Sequence, residues 1–163
     1  MAVSAAELIA AVEQSPEAAR RGDRSDWVGL FTTDGRVEDP VGSRPHIGHD
    51  ELGRFFDTFI GPRQIAFDRD ADFVDDMTVI RDLTLDITMA PRVVMTVPAI
   101  LRYVVDAERD GLKIRELQAY WNLPSMMTKF VRQGTPAVPV GLALARALAV
   151  NQRLHGSIGF VRG

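Results

Sequence analysis

The chain contains no cysteine, which excludes disulfides, thiolate metal sites and thiol nucleophiles together. Histidine is scarce: His46, His49 and His155 are all there are, and no GxSxG elbow accompanies them, so a Ser/His/Asp triad has no framework. A P-loop and a GxGxxG turn are both absent, leaving phosphate cradling and dinucleotide binding without support. No charge of one sign dominates. With 19 Lys and Arg against 22 Asp and Glu the net charge is −3, so no basic field invites nucleic acid. Long apolar runs are missing too. The longest, Ala137 to Val150, is interrupted by Arg146 and falls short of the roughly 20 residues a spanning helix needs. Residues 1–11 carry Glu7 and lack the basic start and cleavage site of a secretory signal, so a soluble cytoplasmic protein is expected.

What remains is an ordinary globular composition, 46% hydrophobic and 25% charged over 163 residues, enough for one well-buried core. Ser4 precedes Leu8, Ile9 and Val12 at helical spacing, with Glu7 in capping-box position, and predicts an amphipathic helix. Pro16 is expected to break or kink that helix, although Ser-Pro can also open a new turn, and Gly22 ends the region. A short second helix around residues 25–31 buries Trp27, Leu30 and Phe31. Asp34-Gly35 reads as a turn, and residues 36–40 as a short strand running into a loop over 40–48. Leu52, Phe55, Phe56 and Phe59 mark a third helix, capped at His49 or Asp50 and stopped by Gly61-Pro62. From there the period changes to two, with strands near 63–69, 77–89, 93–106 and 111–122. Helices followed by a strand meander give an α+β class, in which a curved antiparallel sheet wraps the helices and leaves an apolar pocket between them. The domain is assigned to residues 1–123, with a helical extension over 124–163 packed on the domain or on a partner subunit.

The stretch that bears chemistry is Val37-Glu38-Asp39-Pro40-Val41-Gly42. In a strand Val37 and Asp39 share a face, which delivers Asp39 to the apolar side. A carboxylate there must find a partner or rise in pKa, and either suits a general base. The structural alternative is an Asx turn ahead of Pro40. His46, His49 and Asp50 lack a spaced partner elsewhere, so no metal site is expected, and these histidines are expected to face solvent or cap a helix.

Several separated segments resemble a known family. VEDPVGSRPHIGHDELGRFF (Val37 to Phe56) is similar to the catalytic segment of bacterial ketosteroid isomerases, and LRYVVDAERDGLKIRELQAYW (Leu101 to Trp121) resembles their last two strands. Arg21-Gly22-Asp23 through Leu30-Phe31 fits the helix–turn–helix before the base. The likeness covers residues 5 to 123. It implies the cone-shaped fold shared with nuclear transport factor 2 and SnoaL-like cyclases. It further implies proton transfer between two carbons beside a carbonyl, no cofactor, and a homodimer formed by the outer sheet face. Asp39 falls on the family's general base and Trp121 on a pocket tryptophan. The family's two oxyanion donors, a tyrosine and a protonated aspartic acid, fall on Ser15 and Ala99, so both are replaced. Tyr103 shares a strand face with Ala99 and is the substitute donor, or else a packing residue.

By alternation Met95, Val97, Ala99, Leu101 and Tyr103 line one strand face, joined by Ala119 and Trp121. With Trp27, Phe55, Phe56 and Phe59 they form a chamber suited to a flat, hydrophobic, steroid-like molecule, or simply the core that any cone requires. The opposite face carries Asp86, Thr88, Thr96, Gln118 and Tyr120, mixed enough for a dimer interface. Limonene-type epoxide hydrolysis fits poorly because Arg81 and Asp82 are adjacent and point to opposite faces. The tail helix, apolar around most of its girth, covers the pocket mouth, a dimer interface or a membrane surface, the first two being favoured. Three functions stand at this stage: steroid Δ-isomerase-type catalysis with Asp39 as base, binding of a hydrophobic small molecule with little turnover, and, ranked last, a purely structural partner-binding role that draws only on the tail.

Overall fold

The computed structural model describes residues 2–91 and 93–122, together with isolated positions in the tail (128, 132, 139, 141–143 and 146). The expected tail helices lie mostly outside the described residues, although positions 139, 141–143 and 146 are helical. Helix α1 (Ala5–Arg21) starts with the capping box: Glu7 N–H donates to Ser4 Oγ, and Ser4 N–H donates to Glu7 Oε2 at 2.8 Å. It ends at Gly22, whose φ of 66° is the left-handed conformation that closes a helix C-terminus. The expected break at Pro16 does not occur. Proline removes one helical hydrogen bond, but Ser15, Pro16, Ala18 and Ala19 are all buried, and that packing carries the helix through. Helix α2 (Arg24–Gly29) is capped by Asp23, which accepts from Asp26 N–H.

Strand β1 (Phe31–Glu38) is longer than expected and absorbs Asp34-Gly35, which is an irregularity in its ladder rather than a turn. A Cβ on Gly35 would lie 2.8 Å from Phe31 Cβ, so the close approach of backbone to Phe31 demands glycine there. Phe31 accordingly opens this strand and does not end α2. The two-residue β2 (His46–Ile47) leads into α3 (Gly48–Phe55), which runs on as a π-helical turn over Phe56–Ile60. No side chain caps α3: Glu51 reaches back to accept from Ile47 N–H at 2.9 Å, and His49 instead contacts the Phe31 carbonyl at 3.1 Å.

Four long strands follow: β3 (Gln64–Asp75), β4 (Thr78–Ala90), β5 (Val93–Glu108) and β6 (Gly111–Tyr120). The sheet order is β2-β1-β6-β5-β4-β3, antiparallel throughout except for the parallel β1–β6 pair. The sheet is curved and does not close. Along β5 burial alternates strictly from Val93 to Leu101, the signature of one face on the core and one turned outward. The core joins Leu8 and Val12 of α1, Trp27 of α2, Leu52 and Phe55 of α3 and the inward residues of β4, β5 and β6. This is the α+β cone that the strand pattern and the helices before it imply.

Candidate functional site

A cavity of about 150 Å³ lies between the helices and the concave sheet face. Asp39, Trp27, Phe55, Phe59, Met95, Val97, Leu101, Tyr103 and Trp121 all line it, as does Ser15. Two members of the expected chamber do not. Phe56 is buried beneath the lining, its ring 5.5 Å from that of Trp27, and Ala99 is buried in the core without reaching the cavity. Ile65 and Phe67 of β3 and Leu85, Ile87 and Met89 of β4 complete the apolar wall. Both sets alternate in sequence, so the period of two that marks β5 also marks them.

The cavity has a direction. Met95 and Tyr103 are eight residues apart on β5, roughly 25 Å along a strand. At the inner end Ser15, Trp27 and Tyr103 are buried, whereas Ile60, Arg63, Ile87 and Met89 at the other end are half-buried.

Asp39 directly follows β1, and its surroundings are set by its neighbours. Glu38 turns to the other face, where its carboxylate accepts from Arg36 at 3.0 Å and from Gly42 N–H at 2.8 Å. Burial opposes charge on Glu38, but these bonds win and hold its pKa below the ordinary value. Val41 N–H donates to the Ala119 carbonyl at 2.8 Å, pinning the loop to β6. Asp39 is thereby held against the wall, with Oδ1 accepting from Trp121 Nε1 at 2.5 Å. Burial pushes its pKa up to about 6, and the single indole hydrogen bond only partly counters this. No cation contributes. Oδ2 has no hydrogen bond of its own among the described residues and is the atom free to receive a proton.

Tyr103 is 1% exposed, and burial raises its pKa to about 12, so it is a neutral phenol at any ordinary pH. Arg81 and Ser15 counter that rise only in part, and Ser15 Oγ accepts from Trp27 Nε1 at 3.1 Å. Behind it lies a cluster that sequence reasoning missed. Arg81, 2% exposed, makes a two-pronged bond to Asp72 at 2.7 and 2.9 Å and reaches Glu13 at 2.7 Å. Its alternation with Val79 and Leu83 on the apolar face of β4 was the available signal. Asp82, one residue on, is exposed.

His46 is buried against Phe55 with ring centroids 5.0 Å apart, not facing solvent as expected; the β1–β2 pairing turns it inward. No cluster of potential metal ligands occurs among the described residues. No helix of the described residues is long and apolar enough to cross a membrane.

A cone of this topology with a ligand-sized cavity defines a class of domain, and the comparisons with known proteins name it. The chain belongs to the SnoaL-like domain family, whose model matches residues 12–117. It is similar to the Δ5-3-ketosteroid isomerase of Mycobacterium sp., with 31% identity over 74% of this chain and 96% of that one and a TM-score of 0.66. A Mycobacterium tuberculosis protein solved in complex with estradiol-17β-hemisuccinate is 24% identical over 74% of this chain and 96% of its own, with a TM-score of 0.65. An epoxide hydrolase of the LEH-like type from M. tuberculosis is 19% identical over 86% and 97%, with a TM-score of 0.67. At those two identities the likeness shows the fold alone. Among curated proteins no sequence matches.

Proposed function

We propose that the protein catalyses steroid Δ-isomerase-type proton transfer on a hydrophobic ketone, with Asp39 as the general base. The observation that carries this reading is a cation-free carboxylate on an apolar cavity wall, its pKa near 6 and one oxygen left open. A base titrating just below neutrality is largely ionised at pH 7 yet still basic enough to take a carbon-bound proton. In the proposed step Oδ2 removes the proton α to the carbonyl, and the carbon–hydrogen pair of electrons moves into a dienolate. Asp39 then returns the same proton to the far carbon, so nothing is gained or lost. Trp121 holds Oδ1 and orients the carboxylate for both halves of the transfer. Tyr103, the neutral phenol on the same cavity, is the donor proposed for the developing enolate oxygen.

A second reading has its own support. The positions matching the family's oxyanion donors are Ser15, already engaged by Trp27, and Ala99, which has no donor at all. Loss of one such donor costs about 10²–10³ in rate. A binding protein for a steroid-like ligand, turning over slowly if at all, therefore stands as the alternative. For assembly, the convex face exposing Ile80, Val94, Ile100 and Tyr120 is proposed as the contact with a second copy of the chain.

The test follows enone absorbance while the protein meets a Δ5-3-ketosteroid. Isomerase action predicts turnover that Asp39→Asn lowers about 10²–10⁴-fold, with kcat/KM rising with pH through about 6. Saturable binding without turnover selects the second reading, and neither binding nor turnover overturns both.

A further inference from the structure

One cavity residue remains unused by this chemistry. Arg63 sits between the π-helical turn and β3, half-buried, and contributes to the cavity lining. One of its nitrogens donates to the Thr58 carbonyl at 2.6 Å, which fixes the guanidinium in place. It has no carboxylate partner. All 22 Asp and Glu of the chain fall within the described residues, and none comes within ion-pair distance of Arg63, whereas Arg81 on the same sheet has two. The sequence after Asn122 holds five Lys and Arg and not one acid, so no side chain of the tail can supply the missing charge. Burial pulls the pKa of Arg63 below its ordinary value, the mark of a cation stripped of part of its water without compensation.

Its position is also informative. Gln64, the next residue, pairs with Thr88 of β4, placing Arg63 beside Ile87 and Met89 at the half-buried end, and it contributes nothing to the titration of Asp39. The cavity is smaller than the roughly 300 Å³ of a site that takes a drug-sized ligand whole. A polycyclic ligand whose ketone lies at Asp39 therefore extends toward the half-buried end.

We infer that the ligand is amphipathic and anionic, a hydrophobic ring system bearing a carboxylate at the end remote from its ketone, and that Arg63 is the residue that binds this carboxylate. The guanidinium presents a planar pair of N–H donors suited to two-pronged recognition. The inference rests on the proposed reading of the cavity as a ligand site, but not on whether that site turns its ligand over.

The experiment measures binding of two probes to the full chain by calorimetry: a 3-oxo steroid with a side-chain carboxylic acid at C17, and its methyl ester. The wild-type chain is expected to bind the acid about 10- to 100-fold more tightly than the ester, as a hydrogen-bonded charge pair provides. Arg63→Gln should bring the ratio of the two Kd values near one, and Arg63→Lys should keep part of it. Equal affinities in the wild-type chain, or a preference for the acid that survives Arg63→Gln, overturns the role of Arg63 while leaving the cavity reading intact. If neither probe binds, both fall. Should Arg63→Gln fail to fold, the wild-type ratio and Arg63→Lys still decide.

Discussion

Two aspartates on the concave side of one sheet meet opposite fates. Asp72 on β3 faces Arg81, and although burial works against its charge, the paired guanidinium holds its pKa below the ordinary value. Asp39 lies on the cavity wall with only an indole N–H for company, and burial drives its pKa upward to about 6. The protein thus uses the same side chain once as a matched ion and once as a strained one. A neutralised carboxylate has its proton affinity committed to structure, while an uncompensated one retains it for chemistry.

The largest way to break this contrast is to remove the cation. Arg81→Leu strips the buried Asp72 of its two-pronged partner, leaving only the exposed Arg69 at 3.2 Å, and is expected to destabilise the fold by about 3–5 kcal/mol, read from urea unfolding. Replacing Asp72 by Leu as well should recover much of that loss, since the uncompensated charge is then gone.

Asp39→Asn should act in the opposite direction, keeping an oxygen for Trp121 while deleting the strained charge. Because the folded pKa exceeds the usual carboxylate value, the native state holds its proton more tightly than the unfolded chain does. Stability from this group is therefore complete below about pH 4 and is lost as pH rises through about 6. At pH 8 the variant should gain at most about 3 kcal/mol over wild type, and the gain should vanish near pH 4. Thermal unfolding at both pH values checks it. Asp72 has the reverse sign, its contribution being lost only as pH falls through its lowered pKa.

A smaller effect is expected at the inner end. Ser15→Ala removes the acceptor of Trp27 Nε1, for a cost of about 1–3 kcal/mol by the same unfolding measurement. Smallest is Trp121→Phe, which sharpens the contrast by taking away the one bond that restrains Asp39. Its titration, followed by carboxylate NMR, should move upward by roughly one unit.

Much of this architecture was legible in the residues. Ser4 and Glu7 announced the first helix, and the alternation from Met95 to Tyr103 announced the concave face. The proximity of Val37 and Asp39 to the apolar side followed from strand geometry alone. The misreadings share one cause, which is that tertiary packing outweighed a local signal. Pro16 sits in a helix because its flank is buried, and Asp34-Gly35 sits in a strand because Gly35 lies against Phe31. His46 turned inward because β2 pairs with β1, which spacing could not foresee. The partners of Arg81 come from α1 and β3, far apart in the chain, so its burial was readable but its matching was not. Arg63 gave no signal in sequence, since its isolation emerges only when every carboxylate has been located.

The sheet ends on β3, a twelve-residue strand with no strand paired to its outer edge among the described residues. A bare edge of that length is an invitation to the strands of other molecules. Asp68, Asp70 and Asp75 are exposed along it, and the ladder to β4 slips between Arg69 and Ala71. Negative charge and a broken rhythm together make the edge a poor template, so the cone can stay open on that side, as a cavity requires, without seeding fibres.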